Sequence, residues 1–312
     1  MKNNRKNIHV ACAVDNNYVQ HCAVMLASLL DSNQSEFFEV FILHNGIESK
    51  NQRKIEKFLS KQKNCTYQLI LLNERELSKL PVDVPVSGHI SIATYFRIFL
   101  AEILPNKLDK VLFLDSDIII RKKIRWLWET NLESHSHAAT INPGLQDYFL
   151  KRYQQALNPI YFNAGVLLID LKFWRENDVL SRAYQVIETY SEALKYHDQD
   201  VLNILLNSDW LRVGLTWNAT PRVFRGEIKP EELMTDENTD AVAQDPAIVH
   251  FAGGGFHKPW YFQCEHPFKD LYKKYLKKTP WSNHRLIGEP SLILKLRMRL
   301  KLGTRLRTIL KF

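Results

Sequence analysis

The chain has 312 residues, of which 45% are hydrophobic, and no Pro/Gly/Ser-rich stretch separates two halves, so we expect one main domain. The formal net charge of +8 is concentrated at one end. From residue 273 onward, twelve Lys and Arg residues accompany the single acid Glu289, which leaves 30 basic and 33 acidic residues in 1–272. A nucleic-acid enzyme carries its positive charge around the active groove, so this distribution argues against a nucleic-acid partner and favours an appended surface-binding segment.

The sequence shows no sign of export or membrane insertion. The first ten residues are basic but lack the apolar stretch and cleavage site of a signal peptide. No run of about 18 apolar residues is present, so we expect no transmembrane helix. Four scattered cysteines without a CxxC pair fit reduced thiols. We therefore expect a cytoplasmic protein.

Apolar strand-like and helix-like segments alternate from the beginning of the chain. Strands are predicted at 8–14, 39–43 and 66–72, with helices at 19–30 and 48–60 between them. This alternation is typical of a mainly parallel sheet with helices on both faces. Ligands of such sheets bind beyond the carboxyl ends of the strands.

The later segments continue this α/β pattern. A helix is predicted at 92–100, and strands at 110–114, 161–170 and 247–251. Between the last two strands, helices are predicted from 176 to about 190 and from the polar residues 197–200, followed by a polar loop at 225–245. The polar residues after the strands at 8–14 and 110–114 are therefore expected at one edge of the sheet.

Two carboxylates follow the strand at 110–114. Residues two apart in an extended chain point to the same side, so Asp115 and Asp117 can converge on one cation while Ser116 faces away. Two unpaired acids beside a core cost several kcal/mol, and a hard divalent ion such as Mg²⁺ or Mn²⁺ removes that penalty. An isolated pair of this kind is more often a solvated turn.

A second polar segment, HFAGGGFHKPW at 250–260, changes this interpretation. His250 at a strand end is a candidate metal ligand, ranked above His257 in the loop, and Lys258 is a candidate phosphate partner. The glycines, Gly253 among them, would let backbone approach an anion closely. A bare triple glycine would be only a flexible turn.

Six motifs in order along the chain resemble the family 8 retaining glycosyltransferases, particularly the bacterial lipopolysaccharide galactosyl- and glucosyltransferases. They are DNNY at 15–18, HISIATYFRIFL at 89–100, VLFLDSD at 111–117, YFNAGVLLIDLKFW at 161–174, HDQDVLN at 197–203 and the 250–260 segment. The resemblance extends to about residue 275. It implies a single GT-A (Rossmann-like) domain over 1–275 that binds a nucleotide sugar.

The resemblance also implies which part of the donor, or which metal ion, the residues of these motifs bind. Asp115, Asp117 and His250 would bind Mn²⁺ (or Mg²⁺), which holds the diphosphate of a UDP-hexose donor. The remaining donor-binding residues implied in this way are Asp15, Asn17 and Tyr18 around the uridine, Arg97 and Asn163 near the sugar, and Ser116, Gly253 and Lys258. Tyr18 could instead be an inward-packing aromatic, and Arg97 a surface charge.

The resemblance places Asp198 and Gln199 at the reacting sugar. Asp198 would otherwise be read as a helix N-cap, and both roles can hold together. Retention requires either a covalent glycosyl-enzyme or same-face attack by the acceptor. We favour same-face attack, in which the Gln199 amide oxygen stabilises an oxocarbenium ion. Family members often have an acid where this chain has Asn142, so we expect Asn142 to contact a different acceptor.

The basic segment 276–312 is predicted to associate with membranes. Residues 291–312 interleave seven basic residues with apolar ones and contain no acid. Strict alternation at 294–302 favours a strand, but other positions would line a helical face, so the conformation stays open. Either form suits an anionic lipid surface, with Trp281 as an additional anchor, and a disordered solvated tail is the alternative. With the resemblance, this predicts a peripheral protein at the inner face of the plasma membrane whose acceptor is a lipid-linked saccharide, such as a lipopolysaccharide core.

Three other functions compete with a glycosyltransferase. A nucleic-acid-binding protein would explain the basic tail but not the acidic body. A glycoside hydrolase also uses paired carboxylates, yet it needs neither a cation nor a phosphate-facing lysine. A non-catalytic module that binds a UDP-sugar would not need the complete set of predicted metal ligands.

Overall fold

A computed structural model of the protein describes residues 7–78, 80, 91–153, 160–233 and 235–290. Nine strands lie within these residues: β1 Ile8–Val14, β2 Phe38–His44, β3 Cys65–Leu71, β4 Lys110–Leu114, β5 Ile118–Ile120, β6 His137–Ile141, β7 Phe162–Asp170, β8 Trp210–Arg212 and β9 Ile248–His250. The α-helices are α1 Val19–Ser32, α2 Ser49–Leu59, α3 Glu74–Leu77, α4 Leu100–Ile103, α5 Arg125–Trp128, α6 Gln146–Tyr153, α7 Leu171–Glu176, α8 Val179–Tyr190, α9 Asp198–Leu206, α10 Pro221–Phe224, α11 Pro230–Leu233, α12 Thr239–Gln244 and α13 Lys269–Leu276. Three 3₁₀ helices span Ile92–Phe99, Leu215–Trp217 and Gly255–His257.

Seven strands form the central sheet in the order β3-β2-β1-β4-β7-β6-β8. The first four are mutually parallel, and β6 and β8 run in the same direction as these four. Only β7 among these strands runs the other way, paired antiparallel with both β4 and β6. The predicted α/β fold with a mainly parallel sheet is therefore confirmed.

Each face of the sheet carries its own hydrophobic core. The apolar run of α1 is buried almost throughout, because the helix lies between the sheet, the β5-β9 ribbon and α13. A helix that is apolar on most sides is stable only when it is covered in this way. The 3₁₀ helix Ile92–Phe99 packs with α7, α8 and α9 on the opposite face.

The reversed strand β7 brings its first residues to the edge where β4 ends. Leu114, the last residue of β4, pairs with Val166. The next backbone N–H, that of Asp115, donates to the carbonyl oxygen of Gly165 at 2.8 Å. The short ribbon of β5 and β9 then pairs Ile118 with His250. Three separate chain segments thus meet beside the Asp115 turn.

Three predicted segments differ in detail from the structure, and the prediction does not include β5, β6 and β8. The helix expected from 176 to about 190 is α8, which begins at Val179 after Asp178 with a left-handed φ of 46°, and the short helix α7 precedes it. The helix expected at 92–100 is a 3₁₀ helix. The loop expected at 225–245 contains the short helices α11 and α12.

The basic C-terminal segment is only partly within the described residues. Lys278 forms a 2.6 Å ion pair with Asp31 at the end of α1. Trp281 is 7% exposed and packs in the core beside α1, so the prediction that it anchors the protein in a membrane interface is wrong. Residues 291–312 lie outside the described part of the chain. Among the described residues, no helix has the length and apolar character needed to cross a bilayer.

Candidate active site

Asp115, Asp117 and His250 form a cluster of potential metal ligands. One oxygen of each carboxylate and one imidazole nitrogen all lie within 4.8 Å of one another. The His250 Nε2 atom is 3.3 Å from Asp117 and 3.8 Å from Asp115. Carboxylate oxygens with one neutral imidazole suit Mn²⁺ and also accept Mg²⁺. The residues present therefore fit the divalent ion that the sequence predicts.

A glycine keeps space open at this cluster. A Cβ atom added to Gly165 would lie 2.7 Å from the Asp115 Oδ2 atom and 2.9 Å from the His250 Nδ1 atom. Contacts this short force neighbouring atoms to move, so any side chain at Gly165 would displace two potential ligands. The backbone of β7 can approach the cluster because it has no side chain here.

A buried hydrogen-bond relay orients the His250 ring. The backbone N–H of Gly165 donates to the Asn163 Oδ1 atom at 2.9 Å, which fixes the orientation of that amide. Asn218 then donates its Nδ2 to the same oxygen at 2.8 Å. The Oδ1 atom of Asn218 lies 2.8 Å from the Nδ1 atom of His250 and accepts the Nδ1–H hydrogen bond. Nδ1 is therefore a protonated nitrogen, and Nε2, which faces the two carboxylates, is the nitrogen through which the ring can bind a metal ion.

Lys258 neutralises part of the cluster's negative charge. Its ammonium group forms an ion pair with the Asp117 Oδ2 atom; Lys258 is buried, and the Asp117 side chain is 11% exposed. Burial alone would raise the pKa of Asp117, but the nearby Lys258 and His250 outweigh burial and hold that pKa well below its usual range. Asp117 is therefore ionised and able to bind a cation over the physiological range of pH.

Arg97 links the cluster to α9. Its Nη2 atom lies 2.9 Å from Asp115 Oδ1, and its Nη1 donates to the carbonyl oxygen of Ala164. Its Nε is 2.8 Å from Asp198 Oδ2 while donating its hydrogen to the carbonyl oxygen of Thr94 at 3.2 Å. Arg97 is 5% exposed, so it is an inward-facing charge and the alternative of a surface charge is wrong.

Asp198 is a buried acid with an unusual titration. Burial raises its pKa to about 6, although Arg97 and a hydrogen bond from the Thr94 hydroxyl act in the opposite direction. It is 2% exposed and is the first residue of α9, after His197 at the N-cap position. Asp198 therefore faces the site from the first turn of the helix rather than occupying the N-cap position.

Gln199 lies between the site and a buried acid that sequence analysis did not single out. Its Oε1 accepts the N–H of Ala164 at 3.0 Å, and its Nε2 donates to the Tyr161 hydroxyl at 3.2 Å. Tyr161 and two further tyrosines, Tyr148 and Tyr153, all donate hydroxyl hydrogen bonds to Asp200, which is fully buried. This tyrosine cage holds the first turn of α9 in place.

A pocket of about 410 Å³ opens beside the cluster. Asp15, Asn17 and Tyr18 line it together with Trp260. The Asp15 Oδ1 atom accepts the backbone N–H groups of Asn17 at 2.8 Å and Tyr18 at 3.0 Å, which fixes the loop after β1. Lys258 Nζ lies 5.5 Å from the centre of the Trp260 ring, so the pocket and the metal cluster are neighbours.

The aromatic wall of this pocket is tightly packed. The His21 ring stacks on Trp260 at 3.6 Å, and Tyr18 contacts both rings edge-on. Burial, with the negative charges of Asp117 and Asp15, raises the pKa of Tyr18. Its hydroxyl is therefore protonated at neutral pH. Tyr18 thus lines the pocket and also packs inward against His21 and Trp260.

Three predicted residues lie further from these contacts. The Ser116 hydroxyl is buried and donates to the carbonyl oxygen of Ala13 at 3.2 Å, so it braces the Asp115 turn. Gly253 is exposed in the loop after β9, with a φ of 89° that favours glycine. Asn142 follows β6 and is half-buried beside the start of β7, where its N–H donates to the carbonyl oxygen of Tyr161 at 2.7 Å.

The protein-family model described as "Glycosyl transferase family 8" matches residues 9–264. The chain belongs to this family. Among solved structures, that of the galactosyltransferase LgtC in complex with donor and acceptor sugar analogues resembles it with a TM-score of 0.75 at 26% identity, over 88% of this chain and 96% of that one. The match confirms the GT-A fold.

Curated relatives cover most of the chain as well. General stress protein A of Bacillus subtilis is 27% identical over 91% of this chain and 97% of its own length. The lipopolysaccharide 1,3-galactosyltransferase of Salmonella typhimurium is 27% identical over 90% of this chain and 81% of its own length. This family 8 protein is therefore a glycosyltransferase with an acidic metal-ligand cluster at the edge of its sheet.

Proposed function

We propose that the protein transfers a hexose, galactose or glucose, from a UDP-hexose to a saccharide acceptor and retains the configuration of the anomeric carbon. The observation that carries this proposal is the convergence of Asp115, Asp117 and His250 around a space kept open by Gly165. Mn²⁺, or Mg²⁺, is the proposed cofactor, held by these three side chains. A glycoside hydrolase would not need such a cluster beside a buried lysine.

The pocket beside the cluster is the proposed nucleotide site. Tyr18 offers an aromatic face for uracil, while Asp15 and Asn17 supply polar groups that can hydrogen-bond its edge and the ribose. Gly253 and Lys258 lie on the segment that follows β9 and would face the diphosphate. Ser116 contributes by holding the turn between its two aspartates.

The chemistry requires stabilisation of a diphosphate that gains negative charge as the sugar departs. A bound divalent cation would supply Lewis-acid stabilisation of that charge. Lys258 is already buried at this position, and its positive charge stabilises the departing phosphate more than the ground state. The ion pair with Asp117 keeps the ammonium group in place before the donor binds.

Arg97, Asn163, Asp198 and Gln199 are the proposed sugar-site residues. The buried Asp198 is an acceptor for sugar hydroxyls, and its contact with Arg97 favours the charged form. The Oε1 atom of Gln199 accepts one backbone N–H and retains a second lone pair for an oxocarbenium ion. An amide is a poor nucleophile, which supports same-face attack, with the departing phosphate taking the acceptor proton.

The acceptor is proposed to be a lipid-linked saccharide of the lipopolysaccharide-core type. Relatives named as lipopolysaccharide 1,3-galactosyltransferase and 1,2-glucosyltransferase support this class. Asn142, beside the start of β7, is the proposed acceptor contact. We further propose that the basic residues of 291–312 bind the anionic inner surface of the plasma membrane, so that the protein is cytoplasmic and peripheral.

A panel of UDP-sugars tests this function directly. Hydrolysis and transfer are measured for each sugar with Mn²⁺, with Mg²⁺ and with EDTA, and the expected result is turnover of one UDP-hexose that EDTA abolishes. Turnover that persists in EDTA would favour a hydrolase. No turnover of any UDP-sugar, with or without acceptor, would contradict the proposal.

A separate experiment tests the mechanism. A Gln199→Ala variant supplied with azide should give no glycosyl azide of inverted configuration, because no covalent intermediate is expected. Formation of an inverted azide product would reveal a covalent route.

A further inference from the structure

The outer face of α2 concentrates positive charge. Lys50, Lys54, Lys57 and Lys61 recur at three- and four-residue intervals, so they lie on one side of the helix and its C-terminal extension, with Arg53 beside them. Lys54 is half-buried and the other four are exposed. The opposite side of the helix buries Ile55, Phe58 and Leu59 against the core, so the basic side cannot turn inward.

These side chains line one shallow groove of about 600 Å³, together with Lys278 from the segment after α13. We call these six residues the α2 basic face: Lys50, Arg53, Lys54, Lys57, Lys61 and Lys278. No acid lines the groove within the described part of the chain. Of the six residues of the α2 basic face, only Lys278 forms an ion pair within the described part of the chain, and its partner is Asp31.

The arrangement costs stability unless an anionic partner is present. Like charges spaced three or four residues apart on a helix repel each other. Residues 1–272 carry 33 acids against 30 basic residues, so the positive face is not a consequence of overall composition. A partner that supplies negative charge along the whole length of α2 would relieve this repulsion.

We propose that the α2 basic face binds the anionic surface of a phospholipid bilayer. The face is an extended strip of flexible lysines rather than a deep cavity, which suits many mobile headgroups better than one fixed ligand. It is distinct from the proposed tail contact, because all six residues lie before residue 291.

The position of the face relative to the donor pocket supports a membrane partner. Residues 278–280 line the basic groove, and His284–Ile287 a few residues later line the donor pocket. The start of α2 also adjoins the pocket loop, since Asn16 donates to Glu48 at 2.9 Å. The described chain ends at Pro290 on this side, where the basic residues of 291–312 begin. A membrane bound to the face would therefore lie near the donor pocket.

Nucleic acid is a poorer fit to the same groove. Proteins that hold single strands combine basic side chains with exposed aromatic rings on which bases stack. Phe58 is the aromatic side chain among the described residues that line this groove, and it is 6% exposed. Trp281, under Lys54, is 7% exposed. The groove thus offers charge without a stacking platform.

The test compares three forms of the full-length protein in vesicle flotation. The first is the natural chain. The second carries glutamine at four positions of the face: Lys50, Arg53, Lys57 and Lys61. The third is a control with the same change of charge at four exposed lysines elsewhere: Lys107, Lys151, Lys172 and Lys229. Vesicles contain either phosphatidylcholine alone or phosphatidylcholine with phosphatidylglycerol.

Binding to phosphatidylglycerol vesicles should fall by roughly several hundredfold in the face variant, because each of the four Lys or Arg residues near an anionic surface contributes about fivefold. The control should bind within about twofold of the natural chain, and none should bind phosphatidylcholine alone. Equal binding by face variant and natural chain would overturn the proposal, since the tail is intact in both. Retention of DNA by the natural chain but not the face variant, without vesicle binding, would overturn it in favour of nucleic acid.

The vesicle-binding result can be distinguished from the result of the test of the proposed function. Mn²⁺ affinity and UDP-hexose turnover without vesicles are expected to be unchanged in the face variant, because none of the substituted residues contacts the cluster or lines the donor pocket. Vesicle binding can therefore fail in an active enzyme, or succeed in a protein that has no UDP-hexose activity. A face variant with reduced metal affinity in solution would contradict the inference.

Discussion

Asn218 should control the metal affinity of the cluster although it would not touch the ion. The amide is fully buried and connects Asn163 to the Nδ1 atom of His250. An Asn218→Ala substitution removes the acceptor that fixes the imidazole tautomer. The freed ring can place its proton on Nε2, the nitrogen that faces Asp117 at 3.3 Å, and a protonated nitrogen cannot bind a metal.

The magnitude follows from counting the groups left without a partner. Asn163 Oδ1 keeps the N–H of Gly165, so only the Nδ1–H of His250 is orphaned. An orphaned buried donor costs about 1–3 kcal/mol, and removal of such a partner from a metal-bound histidine reduces affinity about 10–100-fold. An Asn218→Asp variant retains an acceptor opposite Nδ1 and should lose less.

Electron paramagnetic resonance of free Mn²⁺ during titration measures this affinity without any substrate. The matched control is Asn33→Ala, which also removes a buried amide, one that bonds Leu29 and Ile124 at the end of α1. Both alanine variants should unfold at lower urea concentration, but only Asn218→Ala should bind Mn²⁺ more weakly. Unchanged Mn²⁺ affinity in that variant would refute the relay.

Three further predictions concern other contacts of the site. Gly165→Ala should weaken Mn²⁺ binding about tenfold or more, because the methyl group would displace two metal ligands, while the far-ultraviolet circular dichroism stays unchanged. An unchanged Mn²⁺ affinity would show that the backbone of β7 can move to accommodate the methyl group. Activity should need ionised Asp198, so kcat/KM should fall as the pH drops below about 6, where this acid binds its proton. Thr94→Val removes a hydrogen bond that lowers the pKa of Asp198 and should move that acidic limb to higher pH; an unmoved limb would mean that another group titrates. Tyr153→Phe removes one of three hydroxyl donors to Asp200 and should lower the free energy of unfolding by about 1–3 kcal/mol in urea titrations, whereas an unchanged midpoint would show that the other donors suffice.

Five of the seven strands of the central sheet and its four longest α-helices could be predicted because their signals are local. The strand bounds at β1 and β4 and the helix α1 follow from apolar runs and their spacing. The direction of β7 could not be predicted in this way. Its sequence is a continuous apolar run that fits a parallel or an antiparallel neighbour equally well, and only its partners β4 and β6 determine the direction.

The same distinction separates the site residues that were predicted from those that were missed. Asp115, Asp117 and His250 lie at strand ends, where polar residues beside apolar runs indicate a candidate functional site. Asn218 lies in a segment without a motif, between a 3₁₀ helix and α10, and its importance depends on a contact with a residue 32 positions away. Gly165 lies within the motif at 161–174, but the motif does not reveal its role, because the glycine matters through the ligands that a side chain there would displace.

The reversal of β7 affects how new acceptor specificities can arise on this scaffold. Along a parallel strand, only the segment that follows the strand can change at the site without disturbing the sheet. At β7 the segment that precedes the strand enters from the same edge, next to Asn142 and Asn163. Insertions there can remodel the mouth of the site while the pairing of Leu114 with Val166, and with it the Asp115 turn, keeps its register. Under the proposed function, the metal cluster that holds the donor can thus stay unchanged while the segment near the acceptor changes in sequence.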